Sequence, residues 1–235
     1  MRTDVRDVAE IFDAEIRDPA AFAGLPPRYN VAPTQPIEVI VQREDGRVLE
    51  LHRWGLVPSF AQSLSVGTRH INARAETIAT TPAFRTSFAK RRCVIPADGF
   101  YEWRRDPGST RKQPYLIHAN DDRPLAFAGV WSPWKDPRSG EWVLSAAVVT
   151  THANETVKQL HNRMPVILEP SEWPIWADPE MRDPGLLMDL LQPAPDDLLT
   201  LTEVSTLVNN ANNEGPALLE PPTTRPADSP LTLFG

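Results

Sequence analysis

Cysteine is nearly absent from this chain of 235 residues, where Cys93 stands alone. A single thiol excludes an internal disulfide framework, argues against a cysteine-rich metal site and fits a reducing cytoplasm. Long apolar runs are missing as well. No stretch approaches the ~20 apolar residues that a membrane span requires. No basic-then-apolar run stands ahead of a small-residue cleavage site, so no signal peptide is expected. A strand–helix–strand rhythm of about 30 residues does not appear, which argues against a parallel nucleotide-binding sheet. The chain also lacks a phosphate-cradling glycine-rich loop, an HExxH pair and a GxSxG elbow, so neither nucleotide nor metal cofactor is inferred. No internal repeat and no composition shift marks a second domain.

What is present is an ordinary globular composition, 41% hydrophobic and 23% charged, with 25 prolines. That proline content is roughly twice the usual ~5% and disfavours long helices and long central strands, because each proline removes a backbone donor. The net charge of −7 is wrong for a nucleic-acid binder, but it hides an asymmetry. Arg85 to Lys112 holds eight basic residues against three acidic, whereas Glu169 to Glu203 holds nine acidic residues and only Arg182 as a base. A local basic face can bind phosphates whatever the total charge, although a solvated surface explains the same pattern.

Val5, Val8, Ile11 and Phe12 recur at helical spacing behind Thr3 or Asp4, so the pattern predicts an amphipathic helix over 4–16. Strand-like runs follow at Ile37–Gln42, Val48–Trp54, Cys93–Pro96, Phe100–Arg104, Tyr115–His118, Leu125–Trp131, Trp142–Thr150 and Val166–Leu168. Turn formers at Glu44-Asp45-Gly46 and Asp106-Pro107-Gly108 separate several of them. The stretches 152–161, 171–177 and 184–191 read as short helices. These patterns give a β-rich α+β chain. A proline-laden end, 222–235, is expected to trail over the surface or be disordered.

Four segments mix a titratable or amide side chain with aromatics, prolines or glycines, as a rigid surface displaying a few polar groups would. They are Arg28–Gln35; Trp54–Ser59 followed by Ile71–Thr77; Arg91–Trp103; and Leu160–Val166. In this order and spacing they resemble the SOS response-associated peptidase family, whose members crosslink to abasic sites. The resemblance runs from about Arg28 to about Pro221 and closes on Val204–Asn210 and Gly215–Leu219. It implies curved, largely antiparallel sheets forming a pseudo-barrel with peripheral helices, as a single domain over 1–221.

In that family the mature chain begins with cysteine, usually within Met-Cys-Gly-Arg. Its α-amine and thiol attack the ring-opened aldehyde of an abasic deoxyribose, giving a Schiff base that closes to a thiazolidine. A terminal amine with a pKa near ~8 is partly neutral at neutral pH, and a vicinal thiol closes the ring at high effective molarity. This sequence begins Met1-Arg2-Thr3-Asp4 and places no cysteine near its start. A short nucleophile-bearing strand is therefore expected to be missing ahead of the helix near Asp4. Either the start lies further upstream and encodes the cysteine, or the protein binds DNA without crosslinking it.

The resemblance assigns the remaining roles. Asn72 orients the N-terminal amine, Glu102 assists proton transfers in ring opening and Schiff-base formation, and His161 stabilises the opened sugar. A carboxyl among aromatics should have a raised pKa, with nearby arginines opposing that, and imidazole suits proton shuttling. Taken singly, Asn72 is as readily a strand-end residue, and Glu102 a partner of Arg104 or Arg111. Arg74 is expected on a phosphate or, alternatively, on Glu76. DNA contacts are expected from Arg28, Asn30, Pro33, Trp54, Arg74, Arg91 and Arg92, with Trp54 and Phe60 as stacking surfaces. Cys93 has no vicinal amine and is read as a buried structural thiol. The other histidines, His52, His70, His118 and His152, match no role.

The expected function is thus capture of abasic sites in single-stranded DNA by a cytoplasmic, monomeric protein, nucleoid-associated when bound to DNA. Its peptidase label would refer to removal of its own initiator residue. A non-catalytic single-stranded-DNA-binding relic is the competing class, and a general thiol peptidase ranks last.

Overall fold

Strands form where β-branched and aromatic residues cluster between turn formers, and helices occupy the margins. The computed structural model describes residues 1–105 and 112–222. The turn expected at Asp106-Pro107-Gly108, Arg111 and the tail from residue 223 lie outside the described residues. In chain order come α1 (Val5–Ile11), β1 (Ala14–Glu15), α2 (Pro19–Phe22), β2 (Pro36–Arg43), β3 (Gly46–Trp54), β4 (Asn72–Arg74) and α3 (Arg85–Lys90). The middle holds β5 (Arg92–Ala97), β6 (Phe100–Arg105), β7 (Lys112–Ala119), β8 (Leu125–Lys135) and β9 (Trp142–His152). The chain continues through α4 (Glu155–Lys158), β10 (Arg163–Pro165), α5 (Trp173–Ala177), α6 (Pro184–Asp189) and β11 (Leu199–Glu203).

β3, β2, β5, β8 and β9 are neighbours in that order, and β9 returns to β3, so five strands close on themselves. The closing pair is parallel and short, with Arg53 opposite Ser145 and Trp54 opposite Ala146. The other four pairings of the ring are antiparallel. β4 and β10 attach to β9, β1 attaches to β3, and β11, β7 and β6 form a second sheet. This is the β-rich α+β domain with a barrel-like closed sheet and peripheral short helices that the resemblance implied.

Alternation along the strands sorts the core into two faces. Val39, Val41, Cys93, Ile95, Phe127, Ala146 and Val148 fall in one cluster. Ile40, Leu49, Val94, Ala128, Val130, Ala147 and Val149 pack with Val8, Phe12, Phe88 and Trp176 from the helices. The first face is so tight that a Cβ on Gly129 would stand 2.9 Å from Cys93 Sγ and 2.7 Å from Ile95 Cδ1. Cys93 is fully buried, as expected, and burial pushes its thiol well above the ordinary range. The registers gather Pro36, Trp54, Ala97, Leu125 and His152 at one rim of the ring, called the upper rim below.

Three local expectations need correction. The helix predicted over 4–16 stops at Ile11, because Asp13 takes a positive φ of 49° and Ala14–Glu15 turn into a parallel pair with β3. The strand predicted at Val166–Leu168 is displaced to Arg163–Pro165, and the downstream residues keep only isolated ladder contacts, such as Ile167 opposite Phe127. Arg92, expected on DNA, is 1% exposed and lies in the core. Its guanidinium donates to the carbonyls of Trp176 (2.7 Å), Phe88 (2.6 Å), Met181 (2.9 Å) and Asp178. Those carbonyls sit where α3 and α5 end, so Arg92 caps helix ends and ties them to β5.

Replacing Arg92 by methionine should therefore lower stability by about 3 kcal/mol or more, because buried carbonyls lose charge-assisted donors. Urea denaturation checks this.

Candidate functional site

The upper rim carries the turn that follows β5. After β5 the Asp98-Gly99 turn folds straight back into β6, so tightly that a Cβ on Gly99 would lie 2.4 Å from the Ile117 carbonyl oxygen. This turn and the pairing of Glu102 with Tyr115 of β7 fix the Glu102 carboxyl at the rim. Its side chain is 24% exposed. Burial raises its pKa, while His161, the Trp103 backbone amide and Lys112 draw it back down.

His161 arrives from the opposite direction. α4 is capped by Asn154, whose side-chain oxygen accepts from Val157 N (2.9 Å) and whose amide donates to the carbonyls of Ala194 and Pro195. The helix ends on a 3.0 Å bond from His161 N to the Val157 carbonyl, which turns the ring outward. His161 Nδ1 then lies 3.7 Å from Glu102 Oε1, and the imidazole is 48% exposed. The same nitrogen is 3.1 Å from both the amide nitrogen and the carbonyl oxygen of Arg163. Unprotonated, it accepts from the amide; protonated, it donates to the carbonyl. Nδ1 therefore has a backbone partner whether or not it carries the proton.

Arg163 holds that turn. Its Nη atoms bind both oxygens of Glu76 (2.8 and 3.0 Å), and Nη2 also donates to the Thr150 carbonyl (2.6 Å). Glu76 is thereby kept below the usual carboxylate range, chiefly by its bond to Arg163. This answers the alternative set for Arg74, since its candidate partner is taken by Arg163. Asn72 and Arg74 are both exposed on β4, beside β9, and neither makes a side-chain hydrogen bond or ion pair among the described residues. β9 carries β10 as well, so Asn72, Arg74 and the His161 turn share one rim. No hydrogen bond joins Asn72 to Glu102 or His161 among the described residues.

The first residues of the chain lie against Arg28 and the Asp98-Gly99 turn. Met1 N donates to the Arg28 carbonyl (2.8 Å) and Arg28 N donates to the Met1 carbonyl (2.9 Å), a two-bond antiparallel bridge. Desolvation lowers the pKa of this amine, opposed by the charges of Glu38 and Asp98. Arg2 N and Thr3 Oγ1 both donate to Asp98.

The other expected DNA contacts divide. Pro33 is exposed. Arg91 is half-buried, with its guanidinium 6.0 Å from the centre of the Trp131 ring. Trp54 is half-buried and its indole N–H is bonded to the Ile71 carbonyl (3.0 Å), so only part of its surface is open to a base. Arg28 pairs with Glu38 (2.9 Å). Asn30 is buried, and its amide donates to the carbonyls of Val208 and Asn210, which removes it from any surface contact. Sequence reasoning gave no role to Asp98 or Arg163 and set Glu76 only against Arg74, although all three lie in the motifs. Their signal was an isolated charge beside Gly99, beside His161 and beside Arg74. Among the described residues no three His, Cys, Asp or Glu side chains gather closely enough to hold a metal ion, and no helix is long and apolar enough to cross a membrane.

Comparison with known proteins converges. The family described as SOS response associated peptidase (SRAP) matches residues 1–211. Abasic site processing protein YoqW of Bacillus subtilis (strain 168) is 41% identical over 195 residues, covering 83% of this chain and 86% of the relative. Abasic site processing protein HMCES of Gallus gallus is 31% identical over 229 residues, covering 83% of this chain and 66% of the relative. A crystal structure of a protein from Bacteroides thetaiotaomicron superimposes with a TM-score of 0.84 at 24% identity, covering 94% and 97% of the two chains. One from Bordetella bronchiseptica gives 0.72 at 27% identity, covering 87% and 96%.

The raised pKa of Glu102 has a stability consequence. A carboxyl raised by folding contributes stability that is full below its unfolded value near ~4.3 and is lost as pH rises through the raised value. The ionised form of Glu102 therefore weakens the fold, so Glu102→Gln should raise Tm more at alkaline pH than at pH 4, with the gap closing as pH falls. Thermal unfolding at the two pH values checks this; a gap independent of pH would mean the carboxyl is not raised.

Proposed function

The chain belongs to the SOS response associated peptidase family, and from that premise we propose that it captures abasic sites in single-stranded DNA as a covalent adduct. The observation that carries this reading is the contact of Glu102 with His161 at 3.7 Å on a rim where Asn72 and Arg74 stand exposed, without a side-chain partner among the described residues.

Capture begins with opening of the deoxyribose hemiacetal. A base takes the proton from the C1 hydroxyl as the ring C–O bond breaks, and an acid returns a proton to the ring oxygen. Glu102 and His161 can exchange these roles across their contact. A terminal amine then adds to the aldehyde carbon, and loss of one water gives an imine. When the first residue is cysteine, its thiol adds to the imine carbon and its proton passes to nitrogen, so aldehyde, amine and thiol become thiazolidine and water. With methionine first, the sequence of bonds stops at the imine. Asn72 would hold the amine through its amide, and Arg74 a flanking phosphate. The peptidase description would refer to removal of an initiator residue ahead of that cysteine, a step that comes before capture because it frees the α-amine.

The test compares the chain beginning Met1-Arg2 with one whose mature sequence reads Cys-Gly-Arg2, each mixed with abasic single-stranded DNA and heated before electrophoresis. A heat-stable band is expected only from the second. His161→Ala and Glu102→Gln in that background should slow its appearance by about a hundredfold. Absence of a band from both chains would leave a DNA-binding protein without capture, and unchanged rates in the two variants would displace the site.

A further inference from the structure

Two independent anchors fix the segment ahead of α1. One is the backbone bridge between Met1 and Arg28, whose side chain is itself held by Glu38. The other is Asp98, which accepts from Arg2 N and Thr3 Oγ1 and has Arg2 Nε at 3.9 Å. No other side chain among the described residues binds the backbone or hydroxyl of residues 2 and 3. Asp98 stands four residues before Glu102, across the turn that Gly99 makes possible, and Tyr101 between them donates to the Tyr29 carbonyl (2.8 Å). The carboxylate holding the start of the chain and the carboxylate facing His161 thus belong to one turn-and-strand unit with little freedom to move apart.

We infer that Asp98 is a positioning residue for covalent capture: it docks residues 2 and 3 so that the chain's first residue is presented to the rim bearing Glu102 and His161. This rests on the reading that the N-terminal amine is the nucleophile. Asp98 acts in this reading through residues 2 and 3, which it binds, and not on the reacting atoms. Its two contacts are to a backbone N–H and a hydroxyl, so they are indifferent to which residue stands first. A carboxylate suits the task because both its oxygens accept and its charge strengthens both bonds; asparagine could keep Arg2 N on its oxygen but would meet Thr3 Oγ1 only as a neutral donor. Positioning matters steeply, since a misplacement of about 1 Å can cost a hundredfold in rate.

The experiment measures crosslinking rate against DNA concentration for the Cys-Gly-Arg2 chain and its Asp98→Asn and Thr3→Val variants. Asp98→Asn should lower the maximal rate about tenfold or more while leaving the half-saturating DNA concentration unchanged. Thr3→Val should act in the same direction and more weakly. The double variant should fall short of the product of the two effects, because both remove one interaction. An unchanged maximal rate, or a raised half-saturating concentration alone, overturns the inference. If Asp98→Asn fails to fold, Thr3→Val decides by the same criteria. If the parent chain forms no crosslink, the proposed capture falls, and docking is judged separately on the chain beginning Met1. There Asp98→Asn should speed acylation of the Met1 amine at pH 7, and an unchanged labelling rate would refute docking.

Discussion

The arrangement depends on the short parallel seam that closes the barrel at Trp54. Only Arg53–Ser145 and Trp54–Ala146 are in register, yet the polar groups of Trp54 are all used around it. Trp54 N donates to Gln35, its carbonyl accepts from Thr34, and its indole N–H bonds the Ile71 carbonyl. Gly55 then donates to Ala146 at a φ of 122°, where a Cβ would stand 2.6 Å from the Gly67 carbonyl. Only glycine meets both conditions. The Ile71 carbonyl also accepts from Val148, so the seam and the start of β4 share one acceptor. Closing the ring and delivering Asn72 to the rim are the same event.

A second regularity separates motif residues that hold the fold from those that remain available. Asn30, Arg92 and Arg163 look as functional in sequence as Asn72 and Arg74, since each is a polar side chain inside a distinctive motif. Asn30 bonds two carbonyls, Arg92 four, and Arg163 binds Glu76 and Thr150. A buried donor left without a partner is costly, so side chains that satisfy several buried acceptors cannot be recruited by a ligand without losing stability. Asn72 and Arg74 carry no such obligation.

That distinction explains what sequence reveals here. The long strands were legible because Val, Ile and aromatic residues cluster between turn formers, and β2, β3, β5, β6, β8 and β9 fall where those runs predict. β1, β4 and β11 are two, three and five residues long and exist because a partner strand is there to receive them, so pattern alone did not announce them as strands. The first helix was placed correctly but extended too far, since spacing cannot show the positive φ at Asp13. Glu102 and His161 lie 59 residues apart in sequence, and their contact follows from the β5–β6 turn and the end of α4, which no local window contains. The family resemblance supplied that pair. It could not supply Asp98, whose role depends on which donors face it.

The Glu102–His161 contact has a physical logic beyond proximity. Capture requires a proton to be removed in ring opening and one to be delivered when water leaves, so a group fixed in one protonation state would serve only half the reaction. A carboxyl at its ordinary value would surrender its proton to imidazole outright, and the pair would sit locked as carboxylate and imidazolium. Burial of Glu102 narrows that difference by raising the carboxyl, while the imidazole opposite limits how far it rises. His161 keeps a backbone bond at Nδ1 whether or not that nitrogen carries the proton, so moving the proton does not require the ring to reorient. The half-open rim bears on the same balance, because deeper burial would raise the carboxyl further and fuller exposure would relieve the rise.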